Sequence, residues 1–465
     1  MATENNNLDL FSLLPDSLLL AIVSFLPFKE AAARTCILNK KWLNIWQSGN
    51  NIDFDENFFV DSTSDEIKHA QRKVFIDFIT NWIAHFTHRD INKFSLKISN
   101  PHSCSNTIES CVEFAAQLRV NVLTLDFSNE INSNGNNNNA LFPVPTQVYQ
   151  LGSSLETLKL CSCGFDVLDF LNFDALRDLS LSSIGIKRKT LKTLLKICMT
   201  IDSLSLENCW GLEDLNFGDE PIWLTRLVVN KCEMDSDYYL SFNAPVLKYF
   251  KYSGLVFTAD IFIYARKMKE VDIDFSLESR YNSEHADDLC EVLLEFPKTK
   301  ILTVCSYLLQ VIPYADELTR EHSELKVKHL ILNTQMHPNE LGGLEFLLNS
   351  CTSIEKLTLN IGSGVIFEDC KPPYAGDLKK FWLCREYFPE CLVRSLKVVE
   401  VNKSKATDSE YIFLWFLMHI GEVLEEININ ICNADDGLTE TRYERAWNLK
   451  NNAKRRFNHL QISVH

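Results

Sequence analysis

Five groups of residues have types and spacings that could do chemistry. Cys161 and Cys163 form a C-x-C pair, which together with a second pair would make a tetrahedral zinc site. His85 and His88 stand three apart in a segment of helical pattern, a spacing that puts two ligands on one face. Gly362-Ser363-Gly364 could open a phosphate-cradling loop, and Lys187-Arg188-Lys189 and Lys454-Arg455-Arg456 could touch phosphates or serve as localisation signals. Each group lacks its complement. No second pair matches the C-x-C, no third ligand follows the histidines at a recognisable spacing, and the glycines lack a strand before and a helix after them. Basic clusters of three are common on solvated faces. No nucleophile elbow or zinc-protease helix occurs. The sequence therefore predicts no catalytic residue, no metal and no cofactor.

What the residues do share is a scaffold. At 465 residues, with 46% hydrophobic and 23% charged side chains, the chain can bury a large core but is too long for one compact one. A formal net charge of -16 argues against general nucleic-acid binding. The start, MATENNNLDLF, reads as no secretory signal, and the longest apolar run, Tyr411 to Met418, is far short of the ~20 residues of a membrane span. The 15 cysteines are odd in number and scattered, which fits reduced thiols. These readings predict a soluble protein, cytoplasmic or nuclear or both, with no membrane contact.

The scaffold is periodic. An L-x-x-L-x-L pattern, which points alternate apolar residues of a short strand into a core, recurs along the chain. Leu155/Leu158/Leu160, Leu176/Leu179/Leu181, Ile201/Leu204/Leu206, Leu224/Leu227/Val229, Leu247/Phe250/Tyr252 and Met268/Val271/Ile273 carry it in the middle. Their central residues step by 21, 25, 23, 23 and 21. Ile91/Phe94/Leu96 and Val120/Leu123/Leu125 precede these, and Val327/Leu330/Leu332, Ile354/Leu357/Leu359, Leu378/Phe381/Leu383 and Leu424/Ile427/Ile429 follow. The steps lie within the 20–29 residues of leucine-rich repeats. Cys163, Cys209, Cys232 and Cys432 each stand three residues after a repeat's last apolar residue, where a small, weakly polar side chain sits under the turn.

The return segments differ. Stretches starting at Thr190, Asp287, Glu340 and Glu410 read as amphipathic helices. Between Leu204 and Val271, extra matches at Leu212/Leu215/Phe217, Asp237/Leu240/Phe242 and Thr258/Ile261/Ile263 halve the period to about 11. That length holds no strand, helix and two turns, so the returns there should be extended. Residues 128–140, 362–376 and 402–408 read as loops within one array. The expectation is an α/β fold: a curved leucine-rich-repeat solenoid with a parallel sheet on its concave face.

Residues 14–47 differ from the rest. Pro15 and Asp16 suit a helix start, Leu18, Leu19, Ile22, Val23 and Leu26 fall at helical spacing, and Pro27 ends that helix. A second helix runs through Ala31 to Leu38, and Asn39 can cap a third that carries Trp42 and Trp46. Three short helices with so much apolar surface need a partner. The motifs LPDSLL, IVSFLPFKEA and CILNKKWLNIW resemble an F-box, in order and at family spacing, over about 35 residues. F-box followed by leucine-rich repeats is similar to the plant F-box/LRR family. The stretch from Val393 to Asn430 is similar to the FBD-type region that closes many of these proteins. The domains expected are a disordered tail at 1–10, an F-box at 11–50, a helical linker at 51–90, repeats at 91–390 and FBD-like repeats with a cap at 391–465.

The resemblance implies a function. F-box proteins dock onto a Skp-type adaptor and through it a cullin–RING ubiquitin ligase, while the repeats select the protein to be ubiquitinated. Carried onto this chain, Leu14, Pro15, Leu18, Ile22, Leu26 and Pro27 form much of the docking surface, and Leu38 and Trp42 complete it. Several of these, Ile22, Leu38 and Trp42 above all, could instead hold the helices together. Residues between the core positions of each strand face outward, which puts Glu270, Asp272 and Asp274 side by side and Trp382 outward. Like charges on one strand repel and an exposed tryptophan is a common anchor, so these four are candidate substrate contacts. The alternatives are a leucine-rich-repeat scaffold without a ligase link, or a small-molecule co-receptor, which would want a basic pocket.

Overall fold

The computed structural model describes residues 14, 15, 18, 19 and 22, then 50–60, 64–86, 91–128, 141–165, 173–234, 240–257, 261–316, 324–362, 364–370, 378–383, 388–434, 436–457 and 459–465. These fall in two units, Met1–Trp210 and Gly211–His465.

In the first unit, strands β1 (Asn51–Asp55), β2 (Lys93–Lys97) and β3 (Val122–Asp126) are followed by the two-residue β4 (Phe142–Pro143). Then come β5 (Thr157–Cys161), the short β6 (Cys163–Gly164), β7 (Asp178–Ser182) and β8 (Ser203–Glu207). All pairings are parallel, in the order β1-β2-β3-β5-β7-β8, with β4 on β6 apart. Helices α1 (Asp65–His85), α2 (Ser105–Gln117) and α3 (Arg188–Ile197) provide returns. The segment 51–90, expected to be a helical linker or cap, holds α1, and β1 comes before it and pairs with β2.

Alternation of core and outward residues builds the sheet. Leu123, Leu158, Leu179 and Leu204 stand in one register, and Leu125, Leu160, Leu181 and Leu206 in the next, all buried. Each column removes leucine from water at about 1.5–3 kcal/mol per side chain, an upper bound since the unfolded chain is already partly collapsed. The strands end on residues forced into left-handed backbone: Ser162, Ser183, Asn208 and, in the second unit, Lys231, with φ between 49° and 54°. Stacked amides hold this turn, Ser162 N–H on the Ser182 carbonyl at 2.9 Å and Ser183 N–H on Glu207 at 2.8 Å. The next residue then points inward. Cys163 and Cys209 are buried there and donate weakly to the Leu125 and Leu181 carbonyls at 3.7 and 3.4 Å.

The second unit adds β9 (Leu215–Pro221), β10 (Arg226–Asn230), β11 (Leu240–Asn243), β12 (Tyr249–Ser253), β13 (Ile261–Tyr264) and β14 (Glu270–Asp274). After them run β15 (Ile301–Val304), β16 (His329–Thr334), β17 (Lys356–Ile361), β18 (Val398–Ser404), β19 (Glu426–Ile431) and β20 (Gln461–Val464). The even strands β10, β12 and β14, then β15 to β20, form one parallel sheet, and β9, β11 and β13 a second. The extended returns predicted from the halved period are that second sheet. Its Phe242 packs 5.5 Å from Phe250 of the main sheet.

From β14 onward the returns are helical: α4 (Ala286–Leu294), α5 (Ser306–Val311), α6 (Leu341–Ser350), α7 (Leu378–Leu383), α8 (Glu390–Arg394), α9 (Asp408–Ile420) and α10 (Thr439–Lys454). Two starts repeat one device. Thr334 and Ser404, ending β16 and β18, donate from their hydroxyls to buried Glu340 and Glu410 six residues on, at 2.9 and 2.6 Å. Those carboxylates also accept backbone N–H groups of His337 and Thr407, the N-caps, closing capping boxes. Gly343 lies so near α5 that a Cβ would fall 2.2 Å from the Leu309 carbonyl oxygen. No helix among the described residues is long and apolar enough to cross a membrane.

The strand expected at Leu378/Phe381/Leu383 is the helix α7. Leu378, Phe381 and Trp382 are also spaced i, i+3, i+4, the period of a helix face, and here that period wins. The register position is taken instead by Leu396/Val399/Val401, on β18.

Candidate functional site

Two surfaces come out of the sequence, and the structure treats them differently. At the N-terminal one, the Leu18 and Leu19 N–H groups donate to the Pro15 carbonyl at 3.0 and 3.1 Å, the first turn of a helix begun where proline costs nothing. Leu19 is buried, whereas Leu18 is 52% and Ile22 39% exposed. Four residues apart, Leu18 and Ile22 share one face, and Pro15 is exposed at its start with Leu14 half-buried. Leu26, Pro27, Leu38 and Trp42 lie outside the described residues.

The second surface is the outward face of the second unit's strands. Glu270, Asp272 and Asp274 do share one face of β14, each half-buried. They are not three bare charges. Lys251, opposite Asp272 in the register of β12, pairs with it at 2.6 Å. Burial pulls the Lys251 ammonium down, but the hydrogen bond and charge of Asp272 outweigh it, leaving its pKa raised. Asp274 accepts from the Ser253 hydroxyl at 3.1 Å and from the Ser276 N–H and hydroxyl at 2.9 and 3.0 Å, which makes it a turn former as well. With these partners the mutual repulsion of the three carboxylates is offset within the fold.

Trp382 is corrected outright. It is 1% exposed, on α7 rather than a strand, with its ring 4.9 Å from Phe413 and 4.8 Å from Phe416 of α9. It is core, and offers no exposed anchor.

Sequence reasoning missed what organises this face further along. Asn360 donates to Asn333, Asn402 to Asn360 and Asn430 to Asn402, at 3.0, 3.0 and 2.8 Å, an amide ladder across β16 to β19. Its signal was present: ILN, TLN, EVN and ININ place asparagine immediately after the second core residue of four strands. Beside the ladder, Lys356 pairs with Glu400 at 2.7 Å and holds that carboxyl below its usual range, chiefly through their hydrogen bond. His329 meets the Thr358 hydroxyl at 2.9 Å. Burial lowers its pKa and Lys356 lowers it further, against a smaller opposite pull from Glu400. The face is polar, ordered and cross-braced, suited to presenting fixed donors and acceptors to a partner.

Among the described residues, several thiols are poor nucleophiles. Burial first, then the charge of Asp126, pushes Cys161 up to about 11, and burial raises Cys198 to about 11 and Cys305 and Cys391 to about 12. Such groups stay protonated near neutrality.

Against known families, residues 84–457 match the model described as the At1g61320/AtMIF1 LRR domain, and residues 11–53 match the F-box domain. Among Arabidopsis thaliana proteins, At1g56400, an F-box/LRR-repeat protein by name, is 31% identical over 89% of this chain and 86% of its own. At3g29830, named for an F-box, is 30% identical over 99% of both chains. F-box protein At3g62230 is 28% identical over 90% of this chain and 91% of its own. With a repeat-family match across most of its length, an F-box ahead of it and relatives of the same organisation, the chain belongs to the F-box/LRR-repeat family.

Proposed function

We propose that this protein is a non-catalytic substrate-recognition subunit of a Skp–cullin–F-box ubiquitin ligase. In this reading the F-box docks on a Skp-type adaptor and the repeats hold the protein to be ubiquitinated. The observation that carries it is the coexistence, in one chain, of an F-box match with an exposed apolar helix start and a long repeat array with a braced polar face. The docking surface is that begun by Leu14, Pro15, Leu18 and Ile22 and continued through Leu26, Pro27, Leu38 and Trp42. The substrate lies across the outward strand face of the second unit, where Glu270, Asp272 and Asp274 border Lys251 and the asparagine ladder continues further along.

The test is affinity capture of the full chain from plant cells with the proteasome and cullin activation blocked, comparing wild type with Leu14→Ala/Pro15→Ala. Wild type should recover a Skp-type adaptor, a cullin and a small set of substrate proteins, left unmodified because the cullin is inactive; the variant should lose the first two and keep the third bound. A separate variant with Glu270, Asp272 and Asp274 changed to Lys should keep the adaptor and lose substrates. Recovery of adaptor unchanged by the F-box variant would overturn the docking assignment.

A further inference from the structure

On the side of the second unit built from helical returns, α7, α9 and the end of α10 line an open cleft of about 610 Å³. Its apolar wall is Ile412 and Trp415 of α9, and its polar rim is the cations Lys379, Arg455 and Arg456 with the His419 imidazole. Among the described residues, no acidic side chain lines it. In a chain of net charge -16 that is an unusual concentration of one sign.

The neighbouring arginines show what pairing looks like in this region. Arg442 is bonded to Asp436 and Arg445 to Asp408. Among the described residues, Arg455 and Arg456 have no carboxylate within ion-pair distance. Arg456 instead stands over the Trp415 ring, 5.9 Å from its centroid. His419 completes the corner. Its Nδ1 lies 2.9 Å from the Trp415 carbonyl, so that nitrogen is the donor, and its ring packs 5.3 Å edge-on to Phe457. The other ring nitrogen accepts when neutral and donates when protonated. Arg455 and Arg456 are adjacent in sequence and both exposed, so an anion can reach their guanidinium groups from solvent. A volume of this size is that of a small-molecule site, with an apolar body and a few convergent polar groups.

We propose that this cleft binds a small organic anion, a phosphate or carboxylate carried on an apolar ring. The ring lies against Ile412 and Trp415, and the anionic head is held by Arg455 and Arg456 with His419 and Lys379 at the rim. Arginine is suited to the task because its planar fork meets two oxygens of either head group at once. The sequence could not assemble this site: its cations are spread from residue 379 to 456 and only the stacking of three helices brings them together. The proposal goes beyond the adaptor reading and does not depend on it.

The experiment is calorimetric titration of the full-length protein with 1-naphthyl phosphate and with 1-naphthoate, against inorganic phosphate and neutral 1-naphthol as controls. At least one naphthyl anion should bind, and each control should bind at least tenfold more weakly. Arg455→Gln/Arg456→Gln should weaken the anion at least tenfold at an unchanged melting temperature, as should His419→Ala to a lesser extent. If the double variant melts lower, the single Arg455→Gln carries the same expectation. The proposal is overturned if neither naphthyl anion binds, if binding survives the arginine changes, or if inorganic phosphate binds as tightly as the ring-bearing anion.

Discussion

Replacing Leu18 and Ile22 together by Ala separates docking from folding at the F-box. Fully burying a leucine or isoleucine is worth about 1.5–3 kcal/mol. Leu18 is 52% and Ile22 39% exposed, so about half and two-fifths of that remain to be gained when a partner covers them. That makes roughly 1 kcal/mol each and about 2 kcal/mol together, close to 30-fold in Kd at about 1.4 kcal/mol per tenfold. Leu19, one position from Leu18, is wholly buried, and Leu19→Ala should instead cost about 2–5 kcal/mol of stability. The assay is biolayer interferometry of the full-length variants on an immobilised Skp-type adaptor, with a melting curve for each protein. The double variant should melt like wild type and dissociate faster. Binding within about threefold of wild type, at equal folding, refutes the placement of the docking face on Leu18 and Ile22.

Gly343→Ala should destabilise the second unit by about 2 kcal/mol in urea unfolding, because overpacking against the Leu309 backbone outweighs the ~1 kcal/mol of helix propensity that alanine brings; a gain in stability would sink the close approach. Trp382→Ala should cost about 3–5 kcal/mol as a core truncation, seen as a large drop in melting temperature, whereas a neutral effect would return the side chain to the surface. Lys251→Met should change stability by less than about 1 kcal/mol, as expected of a partly exposed cross-strand pair, and a larger loss would show the pair to be a core element. His329 titrates below its ordinary value in the folded chain, so the folded state resists the proton that the unfolded state accepts. Its contribution is therefore intact above about pH 6.5 and is lost as pH falls below it. The drop in melting temperature between pH 7 and 5.5 should be smaller in His329→Gln than in wild type, and an equal drop would refute the assignment.

The strands were legible because a single column of leucines cannot be shifted by one residue without turning every side chain of the strand around. Register, not leucine content, carried the signal, and where register was ignored the reading failed. Leu378/Phe381/Leu383 matched the letters of the repeat but belongs to α7, while Leu396/Val399/Val401 matched both letters and register and is β18. Strand β15 escaped because Thr299, wholly buried, occupies the place where the repeat expects leucine. The outward face was read with the right geometry and the wrong energetics. Asp272 and Asp274 do point where alternation puts them, but their neighbours lie some 20 residues away, on Lys251 and Ser253, and no single strand reveals them. The asparagine ladder was within reach for the opposite reason, since it repeats at the same place in four strands.

The spacing between repeats also decides what each part of the second unit can do. Returns of about 11 residues leave room only for the extended β9, β11 and β13, which hydrogen-bond into a sheet and fill the gap to the main strands with Phe217 and Phe242. Neighbouring strands under 5 Å apart leave no groove between them. Helices pack 8–10 Å apart and stand their side chains off the surface, so where the returns lengthen, at α7, α9 and α10, concavities open between them. The same lengthening allows the buried Glu410 to pin α9 to β18, fixing one wall of such a concavity, as Glu340 pins α6 to β16. A cleft lined by Trp415, Arg455 and Arg456 can arise only in the helical part of the array, and the period of the repeats along the sequence marks where that part begins.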